Sequence, residues 1–225
     1  MSRSCFSYLL LATCCLLAST SVHAQEKKPS NVPNATNANK DEGWKSLIVG
    51  KSLEGWEKSN YGGEGNVSIA DNGELVFESG MPLTGVTYKK EFPKENFEVR
   101  WKAKRIEGSD FLAGLTFPVG DEHCSFICGG WGGGLVGISS IDGNDASENQ
   151  TTQFLDVKNN QWYSFVVKVT PKTIQVWIDG KEVIDLPREG KSFTVRGEVR
   201  INRPFGYCVF SSKVAVKDFE YRIVK

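Results

Sequence analysis

The clearest pattern in the chain is an alternation of apolar and charged residues over positions 96–104. The apolar positions are Phe97, Val99, Trp101 and Ala103, and a charged residue stands between each pair. A period of two places these apolar side chains on one face of a β-strand and the charged ones on the other. The segment is therefore predicted to be a strand with Phe97, Val99 and Trp101 facing the core.

Other segments show the same β-type pattern. Trp162–Thr170 and Thr173–Ile178 are separated by Pro171-Lys172, and Asp179-Gly180 leads into Lys181–Leu186, so two successive hairpins are predicted. Shorter apolar runs predict strands at Ser46–Val49, Val67–Ala70, Glu74–Glu78, Gly85–Phe92, Phe111–Phe117, Ser125–Cys128, Leu135–Ile138, Thr194–Ile201, Tyr207–Ser211 and Val214–Val224. No segment has a sustained helical period.

The apolar phase shifts inside the last predicted strand. Val214 and Val216 share one parity, whereas Phe219 and Tyr221 share the other. This shift predicts a β-bulge near Lys217-Asp218.

A dozen short antiparallel strands without helical crossovers must bury their edges in two packed sheets or in a barrel. The fold class predicted is all-β, a two-sheet antiparallel jelly-roll sandwich. This domain is expected to occupy residues 43–225.

The N-terminal residues predict export. Arg3 precedes the apolar run Tyr8–Leu17, and Val22-His23-Ala24 ends a segment typical of a cleavable signal peptide, residues 1–24. The run is too short to span a bilayer. A periplasmic, extracellular or cell-surface location is therefore expected, and the loose lipobox match at Leu11–Cys14 leaves a lipid anchor open, although Thr13 fits it poorly.

Composition narrows the partners and the cysteine chemistry. Lys and Arg number 27, as do Asp and Glu, so no broad field favours nucleic acid as a partner. Signal cleavage leaves Cys124, Cys128 and Cys208, for which one disulfide and one buried thiol are expected in an oxidising compartment. Structural zinc is not expected, because no second cluster of Cys or His exists.

Several motifs resemble those of the 3-keto-disaccharide hydrolase domain family, which has a concanavalin A-like lectin/glucanase fold. Trp44-Lys45-Ser46-Leu47 followed by Gly50–Trp56 resembles the family start "LFNGKDLSGW". Phe97–Arg100 resembles its "F.L..EFR" strand, and Trp162-Tyr163 with Gln175–Lys181 resembles its hairpin pair. The resemblance covers about Trp44 to the C-terminus.

The resemblance also implies a chemistry and a place for it. Many members carry "NSGI..R" after the arginine strand, where this chain has Gly108–Phe117, and ligand-facing residues are expected there. A 3-keto group acidifies the proton on the adjacent carbon, so cleavage needs one base and a group that stabilises the enolate oxygen. A carboxylate or a histidine would supply the base, and a cation or a metal would stabilise the enolate oxygen.

The segment Cys128–Thr152 is the most unusual part of the sequence. Trp131 stands between Gly129-Gly130 and Gly132-Gly133-Gly134, so no neighbouring side chain shields its indole. A flat aromatic face suits stacking against a sugar ring. The alternative is that Trp131 fills the core and the glycines only permit tight packing.

Three carboxylates follow Trp131. Asp142, Asp145 and Glu148 lie in a turn-like sequence that can gather their oxygens. They are candidates for a catalytic base or for the ligands of a divalent cation such as Ca²⁺, and the alternative is a solvated polar loop. The E-x-D-x-x-E signature of β-glucanases is absent, which disfavours a mechanism with paired carboxylates.

Four further residues are candidates for the site. His123 is a candidate catalytic group, although a lone histidine beside a cysteine is more often structural. Arg100, Arg203 and Trp177 are candidates for saccharide binding, and surface ion pairing is the alternative for the arginines. The site is expected where the Trp131 segment meets the loop of residues 142–148, and the alternative is the polar strand face that carries Glu98, Arg100 and Trp177.

Two functions from different classes fit these features. One is an exported hydrolase or lyase that acts on 3-keto-disaccharides or related glycosides. The other is a non-catalytic carbohydrate-binding or lectin-like module. A saccharide is the expected ligand in both, with no membrane span.

The polar residues 25–42 contain no aromatic side chain and cannot repay the entropy of ordering them, so they are predicted to be a disordered linker. A protein that begins at Asp41 should therefore fold with the same melting temperature as one that begins at Gln25. Circular dichroism during heating measures this, and an unfolded shorter protein would show that the linker assignment is wrong.

Overall fold

The computed structural model describes residues 43–225, and the predicted signal peptide and linker lie outside the described residues. Fifteen strands and a short 3₁₀ helix, Gly197–Asn202, make up this part of the chain. In chain order the strands are β1 (Lys45–Ser46), β2 (Trp56–Lys58), β3 (Val67–Ile69), β4 (Leu75–Phe77), β5 (Leu83–Tyr88), β6 (Phe97–Gly108), β7 (Ala113–Val119), β8 (Glu122–Gly130), β9 (Leu135–Ser139), β10 (Gln153–Phe154), β11 (Tyr163–Val169), β12 (Thr173–Ile178), β13 (Lys181–Pro187), β14 (Gly206–Phe210) and β15 (Ser212–Ile223). Within these residues, no helix has the length and apolar character needed to cross a membrane.

The strands form two antiparallel sheets, which confirms the predicted sandwich. The eight-stranded sheet has the order β13-β12-β11-β6-β15-β4-β3, with β1 paired to β15. The seven-stranded sheet has the order β10-β9-β8-β7-β14-β5-β2. Strands that are neighbours in space are often distant in the sequence, as for β6 beside β15 and β14 beside β5.

The inner faces of the two sheets bury an aromatic core. Phe97, Val99 and Trp101 of β6 are at most 1% exposed, which confirms the predicted orientation of that strand. The Trp101 ring stacks on Phe165 of β11 at 5.0 Å between centroids and meets Phe126 of β8 at 6.2 Å. Such contacts between the sheets stabilise the sandwich through apolar burial and ring geometry.

The predicted bulge lies where the sequence placed it. The pairing of β15 with β6 shifts between Lys217 and Glu220, and Asp218 has a φ of 53°. The irregularity returns Phe219 to the inner face, where it is 2% exposed. The change of phase in the sequence and the bulge are therefore the same feature.

The predicted strand over Thr194–Ile201 is wrong. The 3₁₀ helix Gly197–Asn202 begins inside this segment and ends one residue beyond it. The buried residues of the helix are Val199 and Asn202. They are three positions apart, which matches one turn of a 3₁₀ helix and not the period of a strand. The apolar residues of this short segment are too few for the sequence to separate the two periods.

The expected disulfide is also wrong, because Cys124, Cys128 and Cys208 are all buried free thiols. Cys124 and Cys128 belong to the main core and stand four positions apart on β8, about 13 Å along a strand. A disulfide needs Cα atoms within about 7 Å. Cys208 belongs to a separate apolar cluster with Leu83 and Val199. Burial raises the pKa of the Cys128 and Cys208 thiols to about 12.

The burial of Trp101 predicts a large cost for its truncation. Trp101→Ala should lower the free energy of unfolding by about 3–5 kcal/mol, because it leaves a cavity between the sheets. Trp162→Ala is the matched control, since the partly exposed Trp162 ring contacts mainly Lys104 and Lys217 at 4.7 and 4.2 Å, and its loss should cost about 1 kcal/mol. Urea unfolding followed by far-ultraviolet circular dichroism compares the two, and equal costs would contradict the core assignment.

Candidate functional site

A segment of the chain, residues 193–203, crosses the outer face of the seven-stranded sheet, and we call it the covering segment. At one end the backbones of Ser140 and Thr194 exchange two hydrogen bonds, of 2.7 and 3.2 Å. At the other end the hydroxyl of Thr87 donates to the carbonyl of Ile201 at 3.1 Å. The segment is thereby attached to the sheet on both sides.

A buried amide fixes the end of the covering segment. Asn202 is fully buried, and its Oδ1 accepts hydrogen bonds from the hydroxyls of Tyr61 at 2.6 Å and Ser59 at 3.0 Å. Burial raises the pKa of Tyr61 well above its ordinary value, so its hydroxyl stays protonated and donates. These bonds hold the 3₁₀ helix in one position over the sheet.

A cleft with a volume of about 170 Å³ opens beside the covering segment. Apolar and polar side chains both line it. The apolar ones are Leu83, Phe111, Ile127, Trp131, Val199 and Phe210, and the polar ones are Asp110, Ser125, Ser139, Arg196 and Glu198. An apolar cleft with a few polar groups is the usual form of a small-molecule site.

Trp131 forms the exposed wall of this cleft at the turn between β8 and β9. It is 43% exposed, so the alternative that it fills the core is wrong. Trp131 and Gly132 have φ values of 49° and 90°, and the amide of Gly133 donates to the carbonyl of Gly130, as in a type I′ turn. A bulky residue with positive φ is an outlier of the kind that concentrates at functional sites.

The indole continues into a row of aromatic rings. The Phe111 centroid lies 6.1 Å from Trp131 and 5.5 Å from Phe210. The three rings come from different places in the sequence, namely the residues just before β7, the β8–β9 turn and the end of β14. Together they give the cleft an aromatic surface on which a flat ring can stack.

Asp110 brings a carboxylate with one unused oxygen to the cleft. Its Oδ2 accepts a hydrogen bond from the amide of Gly132 at 3.0 Å, whereas its Oδ1 is buried without a hydrogen-bond partner. The backbone of Asp110 is held by Ser212 at 3.1 Å and by Arg105 at 3.0 Å. Among the described residues, Trp101 Nε1 and Asn202 Nδ2 also lack a partner, but only Asp110 lines the cleft, where a ligand can reach the free oxygen.

Arg196 carries the positive charge of the cleft and is held from both sides. One guanidinium nitrogen pairs with Asp145, and Nε donates to Glu198 at 2.5 Å. The hydrogen bond that Arg196 donates to Glu198 raises the pKa of Arg196 despite partial burial, with a further contribution from the charge of Asp145. The guanidinium also lies 5.7 Å from the centre of the Trp131 ring.

Of the three carboxylates predicted together, none lines the cleft, and Asp145 lies beside it, where it pairs with Arg196 and accepts a hydrogen bond from Ser139. Asp142 accepts hydrogen bonds from the backbone and hydroxyl of Ser192 at 2.8 and 3.2 Å. Glu148 is exposed. The structure does not bring the three together, and no group of three or more His, Cys, Asp or Glu side chains within residues 43–225 is placed to hold a metal ion.

His123 and Arg203 lie together in a second depression, on the same face of the seven-stranded sheet. Alternation along β8 puts His123 on the same side as Ser125, which lines the cleft. Burial, followed by the positive charges of Arg203 and Lys94, lowers the pKa of His123. Neither residue lines the cleft.

Arg100 and Trp177 lie on the other sheet, away from the cleft. Arg100 pairs with Glu220 at 2.6 Å and lies 4.3 Å from the centre of the Trp44 ring. Glu98 pairs with Arg222 at 2.6 Å on the same outer face. The alternative site predicted from Glu98, Arg100 and Trp177 is therefore a region of ion pairs, and Arg100 there borders a depression with Ser164 and Val166.

Sequence reasoning found Trp131 in the cleft and Asp145 beside it, but it missed the other residues that line the cleft. The residues missed are Leu83, Asp110, Phe111, Ser125, Ile127, Ser139, Arg196, Glu198, Val199 and Phe210. The one available signal was the departure from the family pattern at Gly108–Phe117, which contains Asp110 and Phe111. Arg196 and Glu198 gave no signal, because a strand was predicted in their place.

The family of the chain follows from its sequence. The pattern of the 3-keto-α-glucoside-1,2-lyase-like domain matches residues 43–222. The chain belongs to this family, as the resemblance of its opening motif and hairpin pair predicted. A search among curated proteins finds no match.

Solved structures share the fold at low sequence identity. A protein from Parabacteroides distasonis, provisionally described as a glycosyl hydrolase, is 15% identical with a TM-score of 0.52, and the match covers 84% of this chain and 98% of the other. A structure described with endo-acting O-glycanases of the human gut microbiota is 12% identical with a TM-score of 0.53, over 81% and 98% of the two chains. A galectin-like protein of unknown function from Bacillus subtilis is 11% identical with a TM-score of 0.55, over 81% and 96%.

These comparisons define the class of protein. The likenesses to solved structures show the jelly-roll fold and no more, because every identity is below 25%. Family membership identifies the chain as a carbohydrate-active domain, glycosyl hydrolase-like or carbohydrate-binding.

The geometry predicts that Arg196 is energetically coupled to Asp145 and not to Glu148. A double-mutant cycle of Arg196→Gln with Asp145→Asn should give a coupling of about 0.5–1 kcal/mol in the free energy of unfolding, since the pair is partly exposed. The cycle with Glu148→Gln is the control and should give a value near zero. Equal couplings in urea unfolding would show that Asp145 does not hold Arg196.

Proposed function

We propose that the cleft binds a 3-keto glycoside and cleaves it by elimination, with Asp110 as the base. The observation that carries this proposal is the buried Oδ1 of Asp110, which has no hydrogen-bond partner and lines an aromatic cleft. Family membership supplies the substrate class. Export from the cell is proposed with it, on the N-terminal sequence alone.

The aromatic rings position the sugar. A pyranose ring stacked on Trp131 would lie over the polar floor formed by Ser125 and Ser139. The Ser125 hydroxyl already bonds to Thr116 at 2.9 Å, and Ser139 bonds to Asp145. These hydroxyls are therefore oriented before a ligand arrives, which reduces the entropy lost on binding.

The reaction begins with removal of the proton at C2, beside the ketone at C3. Asp110 Oδ1 takes this proton, and the C2–H electron pair forms a C2–C3 double bond with negative charge on the C3 oxygen. Arg196 is the cation in the cleft that can stabilise this oxygen. Because Asp145 and Glu198 hold the guanidinium in place, little reorganisation is needed as the charge develops.

The enolate then expels the group at C1. The C3–O⁻ pair reforms the ketone, the C2–C3 pair forms a C1–C2 double bond, and the C1–O bond breaks with both electrons on the leaving oxygen. The proton held by Asp110 passes to that oxygen, which regenerates the carboxylate. The products are an unsaturated 3-keto sugar and a free alcohol, and later addition of water to the double bond makes the net reaction a hydrolysis.

A second function is favoured by a specific observation. Arg196 engages the carboxylate of Glu198, which lines the cleft, and that of Asp145, which lies beside it, and this suits a non-catalytic carbohydrate-binding site. Under this alternative the aromatic rings bind the saccharide and Asp110 accepts a hydrogen bond from one of its hydroxyls.

Asp110→Asn should lower the turnover of a 3-keto-glucoside at least about 100-fold, because the amide cannot accept the C2 proton. Asp71→Asn is the control, since Asp71 is an exposed carboxylate paired with Lys51 at 3.0 Å. Release of the alcohol is measured with and without a chelator, and exchange of the C2 proton for deuterium reports the base alone. Saturable binding without turnover or exchange would establish the binding module instead.

Trp131→Ala should weaken saccharide binding at least about 10-fold, because it removes the stacking surface. The melting temperature should hardly change, because the side chain is 43% exposed. Calorimetric titration and thermal unfolding measure the two quantities. Trp177→Ala, on the other sheet, is the matched variant, and loss of binding in that variant alone would place the site on the polar strand face.

A further inference from the structure

A second depression, with a volume of about 340 Å³, lies on the same sheet face as the cleft, and we call it the basic depression. Its lining residues are Asp121, Glu122, His123, Phe193, Thr194, Val195, Arg200 and Arg203. The covering segment carries Arg196 to the cleft and Arg200 and Arg203 to the basic depression. One short segment therefore supplies cations to both.

The two arginines of the basic depression are not neutralised. Within the described part of the chain, neither Arg200 nor Arg203 has an ion-pair partner, and Arg203 Nε donates to the carbonyl of Arg200 at 3.2 Å. The guanidinium groups keep most of their donors for another acceptor. Each guanidinium presents its donors as a planar fork that suits the oxygens of a carboxylate or sulfate, and both arginines line the same depression.

The acidic residues of the basic depression are already engaged. Asp121 pairs with Lys94 at 2.6 Å, and Glu122 accepts a hydrogen bond from the amide of Phe193 at 3.1 Å. Burial lowers the pKa of the His123 ring, and the positive charges of Arg203 and Lys94 lower it further, so these two cations act on the ring. The positive charge is local, because the chain as a whole has no net charge.

We propose that the basic depression binds a small oxyanion group, a carboxylate or a sulfate, through Arg200 and Arg203, with His123 beside it. The cleft is close, because His123 and Ser125 are two positions apart on one face of β8, about 7 Å. The group would belong to an acidic saccharide whose other end occupies the cleft. That extension rests on the proposed function, whereas oxyanion binding does not.

The imidazole of His123 reports occupancy directly. A bound oxyanion stabilises the protonated ring, so the pKa of His123 should rise by about 1. By linkage, oxyanion affinity should increase as the pH falls through that pKa. The charged groups that face or act on the ring are Arg200 and Arg203 of the covering segment, Asp121 and Glu122 beside it, and Lys94.

The experiment is a proton NMR titration of the full chain in sodium sulfate, sodium acetate or sodium chloride at equal ionic strength. His23 and His123 are the two histidines of the sequence, and His123→Gln assigns their signals. Sulfate or acetate should raise the pKa of His123 relative to chloride. A rise in sulfate alone identifies a sulfate site, and a rise in acetate alone identifies a carboxylate site.

Matched variants separate a site from general screening. Arg203→Gln and Arg200→Gln should abolish the dependence on the anion, whereas Lys51→Gln, outside the depression, should keep it. Arg203→Gln should also raise the pKa of His123 in chloride, because it removes a positive charge near the ring. Unfolding would raise this pKa as well, so far-ultraviolet circular dichroism checks that each variant is folded. Identical pKa values in all three salts would overturn the proposal, and so would an anion effect that persists in both arginine variants.

The titration also separates this proposal from the proposed function. It contains no glycoside and no cleavage step, so a protein inactive toward 3-keto glycosides can still show the oxyanion effect. If free oxyanions bind, the affinity of the protein for glucuronate is then compared with its affinity for glucose. This comparison tests the link between the basic depression and the cleft. A glucuronate affinity that does not fall in Arg203→Gln would contradict the acidic saccharide as the ligand.

Discussion

The site depends on close packing of the covering segment against the outer face of the seven-stranded sheet. That face carries small residues where the segment crosses, and Gly206 of β14 shows why they are needed. A Cβ atom at position 206 would stand 2.8 Å from the Cβ atom of Asn202 in the covering segment. Small residues let Val199 reach Leu83 and Cys208, and this contact places both the cleft and the basic depression beside the segment.

The polar groups in and beside the cleft differ in whether their hydrogen-bonding atoms already have partners in the protein. Arg196, Asp145 and Glu198 satisfy one another, and Ser125 and Ser139 have protein partners. Asp110 keeps one buried oxygen without a partner. An unsatisfied buried acceptor costs free energy, and a bound ligand that donates a hydrogen bond would recover it. The free oxygen of Asp110 therefore supports a ligand site in the cleft.

Family membership and geometry answer different parts of the question. The family match establishes the kind of protein, a carbohydrate-active domain, but it does not say which side chains act. The structure gives an aromatic surface, a free carboxylate oxygen and a fixed cation in one cleft, which suits the elimination that a 3-keto sugar permits. The neighbouring basic depression adds a feature that a neutral disaccharide would not require.

The sequence by itself determined most of the strands, the class of fold and the family of the chain. The alternation in β6, the hairpins of β11–β13 and the bulge near Lys217 all follow from local patterns, because inner and outer faces alternate with a period of two. The exposed Trp131 was a candidate for a similar reason, since its glycine neighbours are visible in the sequence. The local pattern gave a wrong prediction where only a few apolar residues defined the period, since a strand was predicted in place of the 3₁₀ helix Gly197–Asn202.

The site itself was decided only by the tertiary structure. Asp110, Trp131 and Arg196 come from three separate parts of the sequence, and they meet because β7 and β8 are neighbours in the sheet and the covering segment crosses its outer face. The same long-range arrangement separates Asp145 from Asp142 and Glu148, and keeps the three cysteines apart. Residue types and spacing describe neighbours along the chain, whereas a site on a sandwich is built from neighbours across strands, whose order the local pattern does not encode.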